Sequence, residues 1–191
     1  STADGLGMAW RAGAMLRDME FMQFHPTTLY IAGASRALIT ETLRGEGGVL
    51  RDCNDERFMK EYDPAGELAP RDVVSRVILD RMLKTGATHV YLDIRHFDKA
   101  HFQKRFPLIS ELCESFDIDI SKDLIPVRPS AHYMVGGVKT DENAATNIPR
   151  LFACGEVAST GLHGANRLGS NSLLEGLVFG KLAGQSAVTM I

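Results

Sequence analysis

The sequence predicts an α+β protein, assembled from α/β elements, on three observations. Arg71 to Thr85 carries Val74, Val77, Ile78 and Met82 at helical spacing, opened by Pro70 and stopped by Gly86. Short apolar runs such as Met19 to Phe24 and Val90 to Ile94 read as strands. A glycine-rich loop from Val157 to Asn171 leads into a closing helix from about Ser172 to Met190. Strands and helices mixed along one chain indicate an α/β or α+β architecture.

Taken in order, Asp4 is the expected N-cap of a first helix whose apolar stripe is Leu6, Ala9, Trp10, Gly13 and Leu16. So abrupt a start predicts a chain that begins inside a larger domain. Met19 to Phe24 alternates like a strand, which His25-Pro26 should end. Thr40 to Arg44 suits one helical turn before the flexible Gly45-Glu-Gly-Gly48. Val49 to Arg51 and Arg57 to Met59 read as a hairpin about Asp52 to Glu56. Asp98 to Phe106 and Leu108 to Phe116 are two short helices divided by Pro107. Leu124 to Val138 is extended but broken by Pro126 and Pro129, and Leu151 to Cys154 is a short buried strand ending in Gly155. No internal repeat or low-complexity tract is present.

The 191 residues hold 21 Lys and Arg against 24 Asp and Glu, a formal charge of −3, with 45% hydrophobic residues. This is globular composition with no global attraction for nucleic acid or anionic membrane. No uncharged run is long enough to span a bilayer, and no signal pattern opens the chain. Cys53, Cys113 and Cys154 are odd in number, far apart and without a CxxC, which fits reduced thiols in a cytoplasm. No spacing of His, Cys or acid suggests a metal, and no Gly-x-Ser-x-Gly elbow suggests a serine hydrolase.

Four turn-rich segments gather groups able to hold an anion: Phe24-His-Pro-Thr27, Thr40 to Glu46 with Ala69 to Asp72, Ser130-Ala-His-Tyr133, and His163-Gly-Ala-Asn-Arg167. They supply His25, His132, Arg71 and Arg167, with Arg44 nearby. A small dianion needs charge-assisted donors, and a planar guanidinium grips a carboxylate by two parallel bonds. Each histidine has two readings, hydrogen-bonded structural residue or catalyst, and both stay open at this stage. His89, His96 and His101 read as surface or packing residues. Arg71 opposes the dipole at a helix start, an arrangement that needs a site or a neighbour such as Asp72 to offset it.

The segment from Gly155-Glu156 through the loop to Asn171-Ser172 is strand, glycine loop, then helix start, a geometry that suits an anion or cofactor. Gly176, Gly180 and Gly184 recur every four residues on the helix that follows. That face implies a close helix crossing or a bound ligand. A membrane dimerisation stripe is excluded because Glu175, Lys181 and Gln185 interrupt the apolar run.

These motifs occur in one order: Met22-Gln-Phe-His-Pro-Thr27, Thr40-Glu41 with Arg44-Gly-Glu-Gly47, Arg57-Phe-Met59, Leu68-Ala-Pro-Arg-Asp72, His132-Tyr133, Gly136-Gly137 and His163-Gly-Ala-Asn-Arg-Leu168. The series resembles the flavoprotein family of succinate dehydrogenase, fumarate reductase and L-aspartate oxidase over almost the whole chain. Pro70, Ser170 and Glu175 place it closer to the aspartate oxidase branch, since succinate dehydrogenases tend to carry Ser, Ala and Asp there.

The resemblance implies an FAD-binding, Rossmann-like domain interrupted by a capping domain. Residues 1–18 and 134–191 would be pieces of the first, and 19–133 the cap. It implies dehydrogenation of L-aspartate to iminoaspartate with hydride passing to FAD, and oxygen or fumarate as electron acceptor. Quinolinate and NAD biosynthesis in the cytoplasm would be the setting. Arg71 takes the family's proton-transfer role, with Glu41 and Arg44 as relay. His25, Thr40, His132 and Arg167 match the substrate-binding positions, and Asp4, Gly155, Glu156, Asn171, Ser172 and Leu173 the FAD contacts. The sequence departs from the family in lacking a Gly-x-Gly-x-x-Gly turn after a strand. It is therefore expected to be a piece of a longer enzyme, with the rest of that chain as its partner and no stoichiometric FAD by itself.

Overall fold

The computed structural model describes residues 2–32 and 37–189. The elements begin with α1 (Asp4–Arg11), β1 (Leu16–Arg17), β2 (Met22–Leu29), α2 (Thr42–Gly45), β3 (Val49–Arg51), α3 (Met59–Tyr62), α4 (Arg71–Thr85) and β4 (Val90–Asp93). They continue with α5 (Lys99–Arg105), α6 (Pro107–Ser115), β5 (Ile125–Met134), β6 (Gly137–Lys139), β7 (Ala158–Ser159) and α7 (Asn171–Val188). The chain divides into two compact units, Phe24–Ser130 and a second made of Ser1–Gln23 with Ala131–Ile191.

The Phe24–Ser130 unit is built on a four-stranded sheet in the order β2-β5-β4-β3. β4 pairs antiparallel with β3, Leu50 facing Leu92, and with β5, Leu92 facing Ile125. Its apolar core is contiguous: Ile39, Leu43, Leu50, Phe58, Met59, Val74, Ile78, Leu92, Phe102 and Ile125 are all fully buried. α4 forms as its apolar spacing requires, with Pro70 as N-cap and Gly86 stopping it at φ 68°, a left-handed turn that glycine adopts without strain. Asp98 caps α5 by accepting the His101 N–H at 2.7 Å.

The second unit carries a three-stranded sheet, β1-β6-β7, in which β6 runs antiparallel to β1 and parallel to β7. Gly136 and Gly137 let the backbones meet. A Cβ on Gly136 would lie 2.1 Å from the Asp18 carbonyl oxygen, and one on Gly137 2.5 Å from that of Val157. α1 buries no residue and α7 buries only Glu175. Of the glycine face on α7, Gly176 lies against Gly155 and Gly180 against Cys154, while Gly184 faces open space.

Several sequence expectations are corrected. Asp4 sits in the first turn of α1, and the cap position is Ala3. β2 continues through His25-Pro26 instead of ending there, because the residues after the proline carry the pairing: Thr27 and Leu29 bond to Ile39 and Ala37 on one side, and Tyr30 donates to Pro126 on β5 on the other. β5 likewise runs through Pro126 and Pro129, and the Pro126 carbonyl accepts the Tyr30 N–H just beyond the end of β2. The expected hairpin is reduced to one bridge, Arg51 to Arg57, because β3 takes β4 as its partner and Asp52 folds the turn onto its own carboxylate. Leu151 to Cys154 forms one bridge, Phe152 to Ala145, and is only half-buried. α7 runs from Asn171 to Val188 with Thr189 as its C-cap, and Met190, the expected last residue, lies outside the described residues.

Candidate functional site

In the Phe24–Ser130 unit, three of the sequence-selected residues form one chain of ion pairs. Arg71 opens α4 and donates from Nε and Nη2 to Glu41 Oε2, at 2.8 and 2.7 Å. Glu41 precedes α2, and its other oxygen accepts from Arg44 Nη2 at 3.1 Å, one helical turn on. Arg44 is buried, and its Nη1 donates to the Glu67 carbonyl at 2.6 Å. Asp72, the neighbour expected to offset Arg71, pairs with Arg76 one helical turn on. Burial raises the Glu41 carboxyl, but the hydrogen bond and charge of Arg71 and the charge of Arg44 outweigh it, and it titrates below the ordinary value. Burial lowers the Arg44 guanidinium, against which the Glu41 charge acts. The arrangement sets an ionised carboxylate between two guanidinium donors.

Two more selected residues lie in this unit. His25 is buried on β2, and its Nδ1 accepts the Thr27 N–H at 3.2 Å. A ring nitrogen that accepts leaves the proton on Nε2, so the neutral ring is a donor there. The Thr40 hydroxyl accepts the Thr42 N–H at 3.3 Å. Glu67, which sequence reasoning passed over, is buried, takes both Nε and Nη2 of Arg57 and accepts the Leu50 N–H. Its signal was the Arg57-Phe-Met run, an exposed cation followed by core residues. Of the remaining histidines, His89 packs between Tyr30 and Tyr91 and His96 against Phe97, as packing residues do.

In the second unit, Arg167 lies over the ring of Tyr133 at 4.0 Å. Its Nη2 donates to Ser172 Oγ at 2.6 Å and its Nη1 to Gln23 Oε1 at 3.1 Å. Gln23 in turn donates to the Arg167 carbonyl at 2.6 Å. The predicted Arg167 and Ser172 are thus brought together, and the half-buried His132 precedes Tyr133 on β5. Gln23 and Tyr133 were missed as site residues. A polar Gln at a buried strand position was the available signal. Burial, and then the nearby Glu175 charge, push the Tyr133 phenol up to about 12.

The predicted cofactor residues Asp4 and Glu156 line one cavity of about 430 Å³ together with Leu6, Met134, Gly136 and Val157. That volume is at the lower end of small-molecule sites. Glu156 Oε1 accepts the Met134 N–H at 3.2 Å, and Asp4 accepts from the Thr2 hydroxyl. Carboxylate acceptors suit the hydroxyls of a sugar or polyol better than a pyrophosphate. Gly155 has φ 72° and open space where a Cβ would stand, so its backbone can be approached closely. Asn171, Ser172 and Leu173 form the first turn of α7, whose N-cap Ser170 makes no side-chain capping bond. These features fit the polyol and flavin portions of a dinucleotide. Among the described residues there is no helix long and apolar enough to cross a membrane and no group of three acids, histidines or cysteines that could hold a metal.

Comparison with known proteins agrees with that chemistry. The FAD binding domain family matches residues 1–173. An L-aspartate oxidase of Nostoc sp. is 54% identical over 94% of this chain and 32% of its own length. One from Bacillus subtilis is 51% identical over 98% of this chain and 34% of its own. Among solved structures, a mutant of E. coli quinol fumarate reductase FrdA superposes with a TM-score of 0.88 at 47% identity, covering 97% of this chain and 34% of that one. Mycobacterium smegmatis Sdh1 in complex with UQ1 gives 0.75 at 41% identity over 99% of this chain. The chain spans about a third of the length of the relatives it matches.

Proposed function

Because the chain belongs to the FAD binding domain family, whose cofactor is FAD, we propose that it is part of a flavin-dependent L-aspartate oxidase converting L-aspartate to iminoaspartate. The observation that carries this reading is the Arg71–Glu41–Arg44 chain of ion pairs, joined to relatives about half identical over nearly every residue and named for that activity. FAD, when bound, supplies the hydride acceptor. Asp4, Gly155, Glu156, Asn171, Ser172 and Leu173 are the residues that would hold it. The dehydrogenation releases one hydride from C2 and one proton. Arg71 hands a proton to the ionised Glu41 carboxylate as it accepts one from the substrate, and Glu41 then releases that proton toward solvent beside Arg44, which holds its other oxygen. Arg71 serves by position more than by basicity. The carboxylate-binding residues of this reading are His25, through its Nε2 proton, and Thr40 in the Phe24–Ser130 unit, and His132 and Arg167 in the other.

On this reading residues 19–133 are a capping domain, with the Phe24–Ser130 unit as its compact body, and residues 1–18 and 134–191 belong to the FAD-binding domain. Oxygen or fumarate reoxidises the flavin, in cytoplasmic supply of quinolinate for NAD. A second reading, a succinate- or fumarate-directed flavoprotein, is favoured by the fumarate reductase superposition. The full-length enzyme decides between them by which dicarboxylate bleaches its flavin under anaerobic conditions: aspartate supports the first reading, and bleaching by succinate alone overturns it. The 191 residues purified by themselves are expected to be colourless, and a stoichiometric flavin spectrum would contradict their being an incomplete site.

A further inference from the structure

The glycine-rich loop and α7 enclose an ionisable cluster to which the proposed reaction assigns no role. Glu175 is the one residue α7 buries, with its side chain 1% exposed. One carboxylate oxygen accepts from the Thr160 hydroxyl, and the other meets His163 Nε2 at 2.8 Å. Thr160 and His163 both lie on the loop that precedes the helix, so a single acid fastens that loop at two points. The His163 side chain is itself only 6% exposed. It stands edge-on to Tyr133, ring centroids 5.9 Å apart at 89°. The Tyr133 face carries Arg167 at 4.0 Å, and Ser172 and Gln23 fix the guanidinium rim. An unbroken series of contacts thus runs Glu175, His163, Tyr133, Arg167 inside one compact unit.

Burying a carboxylate is unfavourable unless its partners are well placed, and apolar replacement of a buried pair is often neutral or stabilising. A loop that needed only packing would be served as well by leucine. What an acid and a histidine add is direction: two hydrogen bonds of fixed geometry that orient a ring.

We propose that Glu175 and His163 are a positioning pair for Arg167, acting through the Tyr133 ring to hold the guanidinium in the orientation that grips a substrate carboxylate. The inference rests on the dicarboxylate reading above. Neither residue touches substrate, and both act on affinity through placement.

The test uses the full-length, FAD-loaded enzyme titrated with malonate, a dicarboxylate with no carbon–carbon pair to dehydrogenate. Binding is read without turnover as the change in the visible flavin spectrum. Glu175→Gln and His163→Leu are each expected to weaken malonate about tenfold, as small misplacements of binding groups do. The double variant should be no weaker than either single, because the two act in series. Removing either partner lowers the melting temperature, so affinity is read only on flavin-loaded enzyme, and the His163 variant keeps the test decisive should Glu175→Gln fold poorly. Unchanged malonate affinity per flavin-loaded site, or singles whose losses add in the double, overturns the inference. A wild-type flavin that answers to no dicarboxylate overturns the dicarboxylate reading, and the inference with it.

Discussion

The two units differ in what they do with apolar surface. Phe24–Ser130 gathers its large side chains into one core, with Phe58, Ile78, Leu92 and Phe102 fully buried. The unit formed by the two outer segments leaves Trp10 65% exposed on α1, and Leu173, Leu177 and Val188 each above 70% on α7. Its buried apolar residues are small or few: Ala14, Tyr133, Val135, Val138, Ala144 and Ala158. One region therefore has the burial that supports independent folding, about 25 cal/mol for each Å² of apolar surface removed from water. The other holds its sheet by backbone pairing and glycine contacts and presents two helices that lack a cover. Exposed apolar area of this kind marks a surface made to be covered.

The proposed proton chain lies wholly in the well-packed unit, so its loss should be chemical and not structural. Arg71→Leu in the full-length enzyme is expected to slow aspartate-dependent flavin reduction on the order of 10³-fold, the range of a lost general acid or base. Stopped-flow bleaching at an unchanged rate would remove the chemistry from that unit.

A smaller effect addresses packing directly. Phe58→Ala should cost about 3–5 kcal/mol by urea unfolding of this chain, whereas Leu177→Ala on α7 should stay within about 0.5 kcal/mol. Comparable losses would erase the contrast between the units.

The mildest expected effect is acid sensitivity. Asp93 is held well below its ordinary carboxylate value of 3.8, first by the hydrogen bond from Arg95 and then by Arg51. At Asp52, burial acts upward, but the Glu56 and Asn54 N–H groups and Arg81 outweigh it and the net shift is also downward. A depressed folded value stabilises the ionised native state above the unfolded pKa, and that stability is lost as pH falls through the folded value. Urea midpoints should hold from neutrality to about pH 5 and drop below about pH 4. In hydrogen exchange, the fall in protection between about pH 5 and about pH 3 should be larger in β3 and β4, which carry or adjoin both acids, than in β6 and β7. An equal fall in both units would separate acid sensitivity from these two carboxylates.

Much of this was legible in the sequence where the signal is local. α4 announces itself by spacing, proline and glycine within about seventeen residues of chain. Arg71 was visible as a cation misplaced at a helix start, but its partner was not, because Glu41 lies thirty residues away and only the tertiary fold joins them. Pro26 and Pro126 misled because bonds made by flanking residues carry a strand past one missing N–H, and those bonds are a property of the sheet. Glu175 looked like a mere interruption of an apolar helix. Its meaning came from His163, on a loop whose path no periodicity encodes.

Thr28 on β2 donates to the Arg128 carbonyl at 2.7 Å and accepts from the Ser130 hydroxyl at 2.9 Å. The first and last strands of the Phe24–Ser130 unit are therefore laced side by side where the chain enters and leaves it. A module whose ends already touch needs only a short link to be closed on itself, and closing a short link is entropically inexpensive. Such a piece is expected to tolerate being made alone, or reopened at a new position in one of its own loops, with the Arg71–Glu41–Arg44 ion pairs carried intact.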